Sequence, residues 1–221
     1  MTTQPPVPDR PSVEHAGEAE GAATSPFSLL IVISGPSGSG KDSVVHRMQE
    51  RSIPFHFVVT ATDRSPREGE IHGQDYYFYS TARFEEMIAQ GEMLEHSIVY
   101  GQHKGIPRAQ ARQALASGQD VVMRVDVQGA AKVKKLIPAA VTVFLTVESD
   151  SELKARLRQR DSESQAAYRK RLDTARLEMA RIPDFDYVVV NRRDQLEAAV
   201  DDVIAIIRAE HCRVVPHRID L

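Results

Sequence analysis

The chain has 221 residues, of which 42% are apolar and 27% charged, the balance of an ordinary globular protein with room for one α/β domain. Its formal net charge of −3 provides no overall basic field for nucleic acid or an anionic membrane, and its apolar runs are far shorter than the roughly 20 residues of a membrane-spanning helix. The single cysteine, Cys212, excludes an intramolecular disulfide and agrees with a reducing, cytoplasmic compartment.

Residues 1–26 hold five prolines and almost no large apolar side chain. Such a stretch cannot bury enough surface to offset the entropy of ordering it, so we expect a disordered N-terminal tail. The stretch also lacks the basic start and apolar centre of a secretory signal peptide. We therefore expect a folded domain over residues 27–211, followed by a C-terminal extension at 212–221.

From residue 27 onward, strand-like runs alternate with helix-like segments. Residues 29–34 form an apolar, β-branched run that is typical of a buried strand. Further strands are predicted at 120–127, 140–146 and 186–190, and helices at 42–51, 128–136, 151–160, 165–180 and 194–210. The alternation predicts an α/β fold of three layers, with helices on both faces of a parallel sheet.

Residues 54–119 break this alternation. They begin with a loop rich in Arg, Pro and Gly and continue with four aromatic residues in a row. Helices are predicted near 81–90 and 107–117. We expect this segment to be an inserted subdomain that binds the substrate.

A glycine-rich loop directly follows the first predicted strand and precedes the first helix. Glycines let backbone N–H groups curl around a phosphate, the helix N-terminus adds its dipole, and the lysine adds a charge for the β- and γ-phosphates. A turn that only caps the helix is the less favoured interpretation. The residues follow the Walker A spacing G-x-x-x-x-G-K: Gly35, Pro36, Ser37, Gly38, Ser39, Gly40 and Lys41.

One residue of this loop departs from the Walker A pattern. After the lysine the pattern has a Ser or Thr whose hydroxyl binds magnesium, but this chain has Asp42. Ser43 lies about 100° further round the helix and is not an obvious substitute. We expect Asp42 to serve the Mg²⁺ that accompanies a nucleotide.

Arg64, Arg67 and Tyr76 form a second candidate phosphate site. Two arginines in a Pro- and Gly-rich loop are more often a solvated surface. Together with a P-loop they predict a clamp, in which guanidinium groups grip a phosphomonoester and the phenol donates one more hydrogen bond. Here the chain resembles the guanylate kinase family, whose loop reads T-x-R-x-P-R-x-G-E and then G-x-D-Y-x-F. The resemblance extends from about residue 29 to residue 207.

The resemblance implies a P-loop kinase that uses ATP and Mg²⁺ to phosphorylate GMP and dGMP. It implies that Arg64, Arg67 and Tyr76 hold the GMP phosphate and that Glu70 supports the arginines. Thr60 stands where the family has a Ser that reaches the guanine. The inserted subdomain would then be the GMP-binding part of the fold.

Glu95 and Asp126 match the two carboxylates with which the family reads the base. Guanine offers donors at N1 and at the 2-amino group, which carboxylates accept. Adenine has a bare acceptor at N1 and would be repelled. The alternative interpretations are a solvated helix end for Glu95 and a structural salt bridge for Asp126.

Arg156, Arg160 and Arg171 match the family's helical lid, here residues 156–175, which closes on the transferring phosphoryl group. Charge spread over the phosphoryl oxygens needs positioned cations, whereas a solvated, salt-bridged helix is the alternative. Arg156 and Arg160 are four residues apart and share one helix face. Asn191 matches an Asn that lines the adenine end of the ATP site.

Several positions depart from the family's pattern. Arg124 replaces the acid that usually acts near magnesium on the second strand, and the family's Tyr-Tyr-Gly-Thr/Ser is here His-Lys-Gly-Ile. Lys104 of this stretch can hold a phosphate in place of a tyrosine, but Ile106 cannot donate to the guanine carbonyl. We predict that Asp42 and Arg124 have exchanged charges and lie side by side.

Two other functions are alternatives at this stage. The sequence Gly-Lys-Asp-Ser also resembles the P-loop of ribose 1,5-bisphosphate phosphokinase, a family without the complete clamp. A guanylate-kinase-like scaffold domain binds protein partners without chemistry, but it typically loses the P-loop lysine or the lid arginines that this chain keeps. We expect a cytoplasmic monomer or homodimer that acts on GMP and ATP, with neither nucleic acid nor a membrane as partner.

Overall fold

A computed structural model describes residues 27–158 and 165–219. The predicted tail at 1–26 and the predicted lid residue Arg160 lie outside the described residues. The described strands are β1 (Leu30–Ser34), β2 (Phe55–Val58), β3 (Ala61–Thr62), β4 (Tyr77–Phe78), β5 (Met93–Val99), β6 (Gln102–Pro107), β7 (Asp120–Arg124), β8 (Val141–Thr146) and β9 (Tyr187–Val190). The described α-helices are α1 (Lys41–Glu50), α2 (Thr81–Ala89), α3 (Arg108–Ala116), α4 (Val127–Leu136), α5 (Asp150–Arg158), α6 (Gln165–Met179) and α7 (Leu196–His211).

β1 lies at the centre of a five-stranded parallel sheet with the order β2-β7-β1-β8-β9. Its side chains alternate between two cores. Ile31 and Ile33 pack with α1 and α7, whereas Leu30 and Val32 pack with α3 and α4. Because successive side chains of a strand point to opposite faces, a strand covered on both faces needs a continuous apolar run. The predicted three-layer α/β fold is confirmed.

A smaller sheet of four strands, in the order β4-β3-β6-β5, lies in the segment between β2 and α3. β5 and β6 form an antiparallel hairpin, to which β3 is added in the antiparallel direction. α2 covers this sheet with Phe84 and Met87, which pack with Ala61 and Met93. The inserted segment therefore has a small core of its own.

The segment predicted as the subdomain, residues 54–119, starts and ends with elements of the main layers. β2 pairs in parallel with β7, with Phe55 opposite Asp120. α3 buries Ala111 and Ala114 in the same core as α4. β2 was not predicted because it is a short edge strand in which only one of four residues is fully buried, so its periodic signal is weak.

The strand predicted at 120–127 ends earlier than expected, at Arg124, because Asp126 begins the next helix. The Asp126 carboxylate accepts hydrogen bonds from the N–H groups of Gln128 (2.9 Å) and Gly129 (3.1 Å). These N–H groups have no acceptor inside α4, so an aspartate at this position stabilises the helix start. The other predicted bounds that fall on described residues agree with the structure within two residues.

The sheet register decides which loops come together. β1 and β7 are parallel neighbours with Ile33 opposite Arg124, so the loops that follow these strands leave the same edge of the sheet side by side. In open α/β sheets this edge is where ligands bind. Within the described part of the chain, no helix combines the length and the apolar composition needed to cross a bilayer.

Candidate active site

A cavity of about 910 Å³ opens at the carboxyl ends of β1 and β7. The glycine-rich loop of residues 35–41, the P-loop, forms one end, and the loop that contains Arg64 and Arg67 forms the other. The volume matches that of a typical ligand cavity, at the upper end of the range. Acidic as well as basic side chains line it, and the acids include Asp42, Glu95, Asp126 and Glu178.

The P-loop needs glycine where its backbone turns through a left-handed conformation. Gly40 has a φ of +92° and directly precedes α1, and a Cβ there would overlap the amide nitrogen of Asn191. Gly35 has a φ of +134°, and a Cβ there would overlap the carbonyl oxygen of Leu145 on β8. Because Gly40 has no side chain to cap α1, the first N–H groups of the helix favour an anion at the cavity.

Lys41 folds back over the P-loop. Its Nζ donates hydrogen bonds to the carbonyl oxygens of Gly35 (2.6 Å) and Pro36 (2.9 Å). Burial lowers the pKa of Lys41 to about 8, and the negative charges of Asp42 and Glu178 oppose that shift. An anion bound in the P-loop would favour the charged ammonium, so anion binding and protonation of Lys41 reinforce each other.

Asn191 and Arg156 support the P-loop from behind. The Asn191 side-chain amide is buried and donates to the Ser39 carbonyl at 2.9 Å. Arg156 donates to the Glu152 carboxylate at 2.7 Å and to the Asn191 carbonyl at 3.0 Å. Both residues thus form contacts within the protein, and the expected roles of Asn191 at the adenine end and of Arg156 on the phosphoryl group stay predictions.

Arg171 is the predicted lid arginine that the described structure brings to the cavity wall. It lies on α6, and its guanidinium carbon is 5.5 Å from the centre of the Tyr100 ring. Arg160 falls in the segment outside the described residues.

Glu178 is a cavity residue that the sequence analysis missed. It follows Arg171 by seven residues on α6, which is two turns and the same helix face. Burial raises the pKa of Glu178 to about 7, and the positive charges of Lys41 and Lys104 oppose that shift. The spacing from Arg171, with buried Ala175 between them, is the signal that could have found it.

Asp42 and Arg124 form the ion pair that the sequence predicted. Nη1 of Arg124 lies 2.9 Å from Oδ1 of Asp42, and the two side chains are 9% and 54% exposed. The predicted proximity is confirmed, and the register explains it. Arg124 lies opposite Ile33, two residues before the P-loop begins.

Arg64, Arg67, Glu70 and Tyr76 meet at the far end of the cavity. The Arg64 guanidinium donates two hydrogen bonds of 2.6 Å to the Glu70 carboxylate, and the Arg67 backbone N–H donates to the same carboxylate at 2.7 Å. Arg64 also lies over the Tyr76 ring, 4.8 Å from its centre. The Arg67 side chain is exposed at the cavity mouth. Glu70 therefore holds this loop in place. The surface that the loop presents to the cavity is cationic.

Glu95 is a buried acid, and one of its carboxyl oxygens has no hydrogen-bond partner among the described residues. Its residue is 4% exposed, and its Oε2 accepts no hydrogen bond from the described residues. Burial raises the pKa of Glu95 to about 8, and the negative charge of Asp126 adds to the shift. Gly129 leaves the room for this carboxyl group, since a Cβ there would lie 2.8 Å from Oε2. A buried hydrogen-bond acceptor without a donor costs free energy. Glu95 therefore marks a place where a ligand can supply a hydrogen-bond donor.

Three other predicted residues line the cavity, and the side chains of two of them form hydrogen bonds with protein groups. Asp126 accepts from the Ser97 hydroxyl as well as capping α4, so its structural role is a helix cap and not the salt bridge considered above. The Thr60 hydroxyl donates to the Arg124 carbonyl at 2.9 Å. Burial lowers the pKa of Lys104, a shift that Asp126 and Asp42 oppose.

Comparison with known proteins identifies close relatives. A family model described as guanylate kinase matches residues 28–210. Guanylate kinase 2, chloroplastic/mitochondrial, from Oryza sativa subsp. japonica is 47% identical over 197 residues, which cover 89% of this chain and 69% of that protein. Guanylate kinase from Lactobacillus johnsonii is 43% identical over 187 residues, which cover 84% of this chain and 91% of that protein.

A solved structure of a guanylate kinase has a similar fold. The crystal structure of guanylate kinase from Anaplasma phagocytophilum is similar to this fold with a TM-score of 0.70 and 28% sequence identity. The match covers 85% of this chain and 88% of that chain.

The contact between Gly40 and Asn191 can be tested by stability alone. Gly40→Ala should lower the free energy of unfolding by about 1–3 kcal/mol more than Gly118→Ala, because its Cβ pushes Asn191 off the Ser39 carbonyl. Gly118 is the matched control, since it too has a positive φ (+73°) but no atom within 4 Å of an added Cβ. Urea unfolding measures both.

A double-mutant cycle completes that test. In an Asn191→Ala background the added Cβ of Gly40→Ala has room, so its excess cost over Gly118→Ala should largely disappear. Equal costs for the two glycine variants in the parent chain would show that Asn191 does not hold the loop.

Proposed function

The chain belongs to the guanylate kinase family and transfers a phosphoryl group from ATP to GMP, and we propose how its cavity is divided between the two nucleotides. The P-loop end takes the ATP phosphates. Arg64, Arg67 and Tyr76 take the GMP phosphate, with Glu95 toward the base. The observation that carries this assignment is Glu95, a buried carboxyl whose Oε2 has no hydrogen-bond partner among the described residues, in a cavity that has phosphate-binding chemistry at both ends.

On the donor side, the P-loop amides and the start of α1 would hold the β- and γ-phosphates. The Lys41 ammonium, which the free protein keeps on two P-loop carbonyls, would turn to these phosphates. Arg171 would add a cation from α6, and the assignment of Arg160 to the lid stays a prediction. We assign Arg156 an indirect role, since it holds Asn191 and through it the P-loop.

Mg²⁺ fits the donor end through Asp42. No group of three or more His, Cys, Asp or Glu side chains stands ready to hold a metal within residues 27–158 and 165–219. Mg²⁺ in kinases needs no such cage, since it takes one or two carboxylates together with phosphate oxygens and waters. Asp42 lines the cavity beside Lys41 and offers that carboxylate. When bound, the ion would neutralise charge on the β- and γ-phosphate oxygens.

On the acceptor side, the open oxygen of Glu95 would accept from N1–H or the 2-amino group of guanine. Asp126 is fixed by Ser97 and by the start of α4, so its oxygens are held at the same wall. The Thr60 hydroxyl already donates to the Arg124 carbonyl and can still accept. Because dGMP carries the same base and phosphate as GMP, we propose it as a second acceptor. A cytoplasmic location and a monomer or homodimer stay predictions.

Acceptor selectivity tests the role of Glu95. We expect GMP to be phosphorylated with a kcat/KM at least about 10²-fold above that of AMP, because adenine has an acceptor at N1 and no donor at C2, the two positions where guanine donates. A coupled assay with GMP, dGMP, AMP and ribose 1,5-bisphosphate measures this ratio. Glu95→Gln should reduce it. Comparable turnover of AMP and GMP would remove the base-reading role, and turnover of the sugar phosphate alone would favour the sugar-phosphate kinase alternative.

Variants at the two phosphate sites should change different kinetic constants. Arg67→Ala should raise the KM for GMP about tenfold or more and leave the KM for ATP within about twofold, because its side chain faces only the acceptor end. Lys41→Ala should lower kcat by roughly 10²-fold, because it removes charge from the moving phosphoryl group. Arg112→Ala, which removes an exposed arginine of α3, is the control. Unchanged GMP affinity in folded Arg67→Ala would contradict the clamp.

The affinity for GMP should rise with pH. With a pKa of about 8, Glu95 is mostly protonated at pH 7 in the free protein, whereas two guanine donors favour its carboxylate. Binding then releases a proton, and the affinity should increase on the order of tenfold from pH 6.5 to 8.5 and level off above. Titration calorimetry with GMP alone measures this. Glu95→Gln keeps the titration of the GMP phosphate but should lose most of the rise.

A further inference from the structure

Arg124 reaches both ends of the cavity. It is the last residue of β7, and it stands next to the strand that feeds the P-loop. Its side chain is almost fully buried, so its hydrogen bonds and ring contacts form with protein groups and not with solvent. A guanidinium group has five N–H donors in a fixed plane and can therefore bind two partners in different directions at once.

On the side of the proposed ATP phosphate site, the Arg124 guanidinium contacts the helix that follows the P-loop. Nη1 of Arg124 pairs with the Asp42 carboxylate at 2.9 Å. Asp42 is in the first turn of α1, next to Lys41. Through Asp42, the Arg124 guanidinium fixes the start of α1, which carries the N–H groups proposed to hold the ATP phosphates.

On the side of the proposed GMP phosphate site, Arg124 contacts the segment around Tyr76. Nη2 of Arg124 donates to the Asp75 carbonyl at 2.9 Å, and its guanidinium carbon lies 4.6 Å from the centre of the Tyr76 ring. The Tyr76 ring also contacts Arg64, so this buried ring lies in contact with two guanidinium groups. The backbone carbonyl of Arg124 accepts from Thr60, which adds a second tie to the inserted segment.

We propose that Arg124 is a positioning residue that sets the distance between the donor and acceptor phosphate sites. The proposal rests on the proposed division of the cavity. The Asp42 pair holds the P-loop, the Asp75 and Tyr76 contacts hold the clamp, and one planar guanidinium group joins them. Phosphoryl transfer requires the attacking and leaving oxygens to be nearly in line, and a displacement of about 1 Å can cost 10²-fold in rate.

Arg124→Lys separates this role from simple burial of a cation. A lysine keeps the charge and can face Asp42, but it has no planar fork with which to hold the Asp75 carbonyl and stack on Tyr76 at the same time. We expect the KM for ATP to stay within about twofold, the KM for GMP to rise about tenfold, and kcat to fall at least tenfold. Calorimetry with GMP alone should show the same weakening.

Asp42→Asn is the complementary variant. It removes the ionic contact on the donor side only, so the KM for ATP should rise several-fold at fixed Mg²⁺ while GMP binding measured without ATP stays within about twofold. Arg108→Lys is the matched control: this arginine donates to the carbonyls of Gly91 (3.4 Å) and Met93 (3.3 Å), on the inserted segment, and it does not line the cavity. All kinetic constants of Arg108→Lys should stay within about twofold.

The Arg124→Lys variant tests the role of Arg124, and GMP binding by the wild-type chain tests the division of the cavity. If Arg124→Lys matches Arg108→Lys, or raises both KM values equally, Arg124 does not join the two sites. If the wild-type chain fails to bind GMP by calorimetry, the division of the cavity is wrong. Circular dichroism and urea unfolding confirm that each variant is folded. If Arg124→Lys is unfolded, Asp42→Asn gives the answer: an unchanged KM for ATP in this variant would overturn the proposal.

Discussion

The parallel pairing of β1 with β7 is the constraint on which the site depends. Because Arg124 lies opposite Ile33, the loop that leaves β1 and the loop that leaves β7 start at the same edge of the sheet. The first becomes the P-loop and the second becomes the start of α4, where Asp126 caps the helix. A shift of one residue in this register would turn the Arg124 side chain to the other face, away from Asp42.

Acids of the cavity lie close to its bases. The negative charge of Glu178 opposes the lowering of the Lys41 pKa, and Asp42 pairs with Arg124. Burial pushes Glu178 and Lys41 toward their neutral forms, as the raised pKa of Glu178 and the lowered pKa of Lys41 show. A nucleotide phosphate brings the negative charge that Lys41 needs. An anion bound at the P-loop would therefore favour the charged form of Lys41 and, for the same reason, the neutral form of Glu178.

Sequence reasoning succeeded where the chemistry is local. The Walker A residues lie in one continuous loop, and the contact between Arg64 and Glu70, six residues apart, was implied by the resemblance of their loop to that of the family. Apart from the pair of Asp42 and Arg124, it missed contacts that depend on distant chain segments. That Asn191 binds Ser39 from 152 positions away follows from the pairing of β8 with β9, which no local pattern reveals. The edge strand β2 was missed for a similar reason, since its partner β7 is more than 60 residues distant.

The exchange of charge between positions 42 and 124 shows how tertiary contacts limit a departure from a motif. Asp42 is half exposed and water could stabilise it alone, but Arg124 is buried and needs a counter-charge. The Asp75 carbonyl gives the guanidinium a hydrogen bond, yet it gives no full negative charge. Arg124 therefore depends on Asp42 more than Asp42 depends on Arg124. An acid in the first turn of α1 is thus what allows a base at the end of β7, and that base in turn reaches the inserted segment.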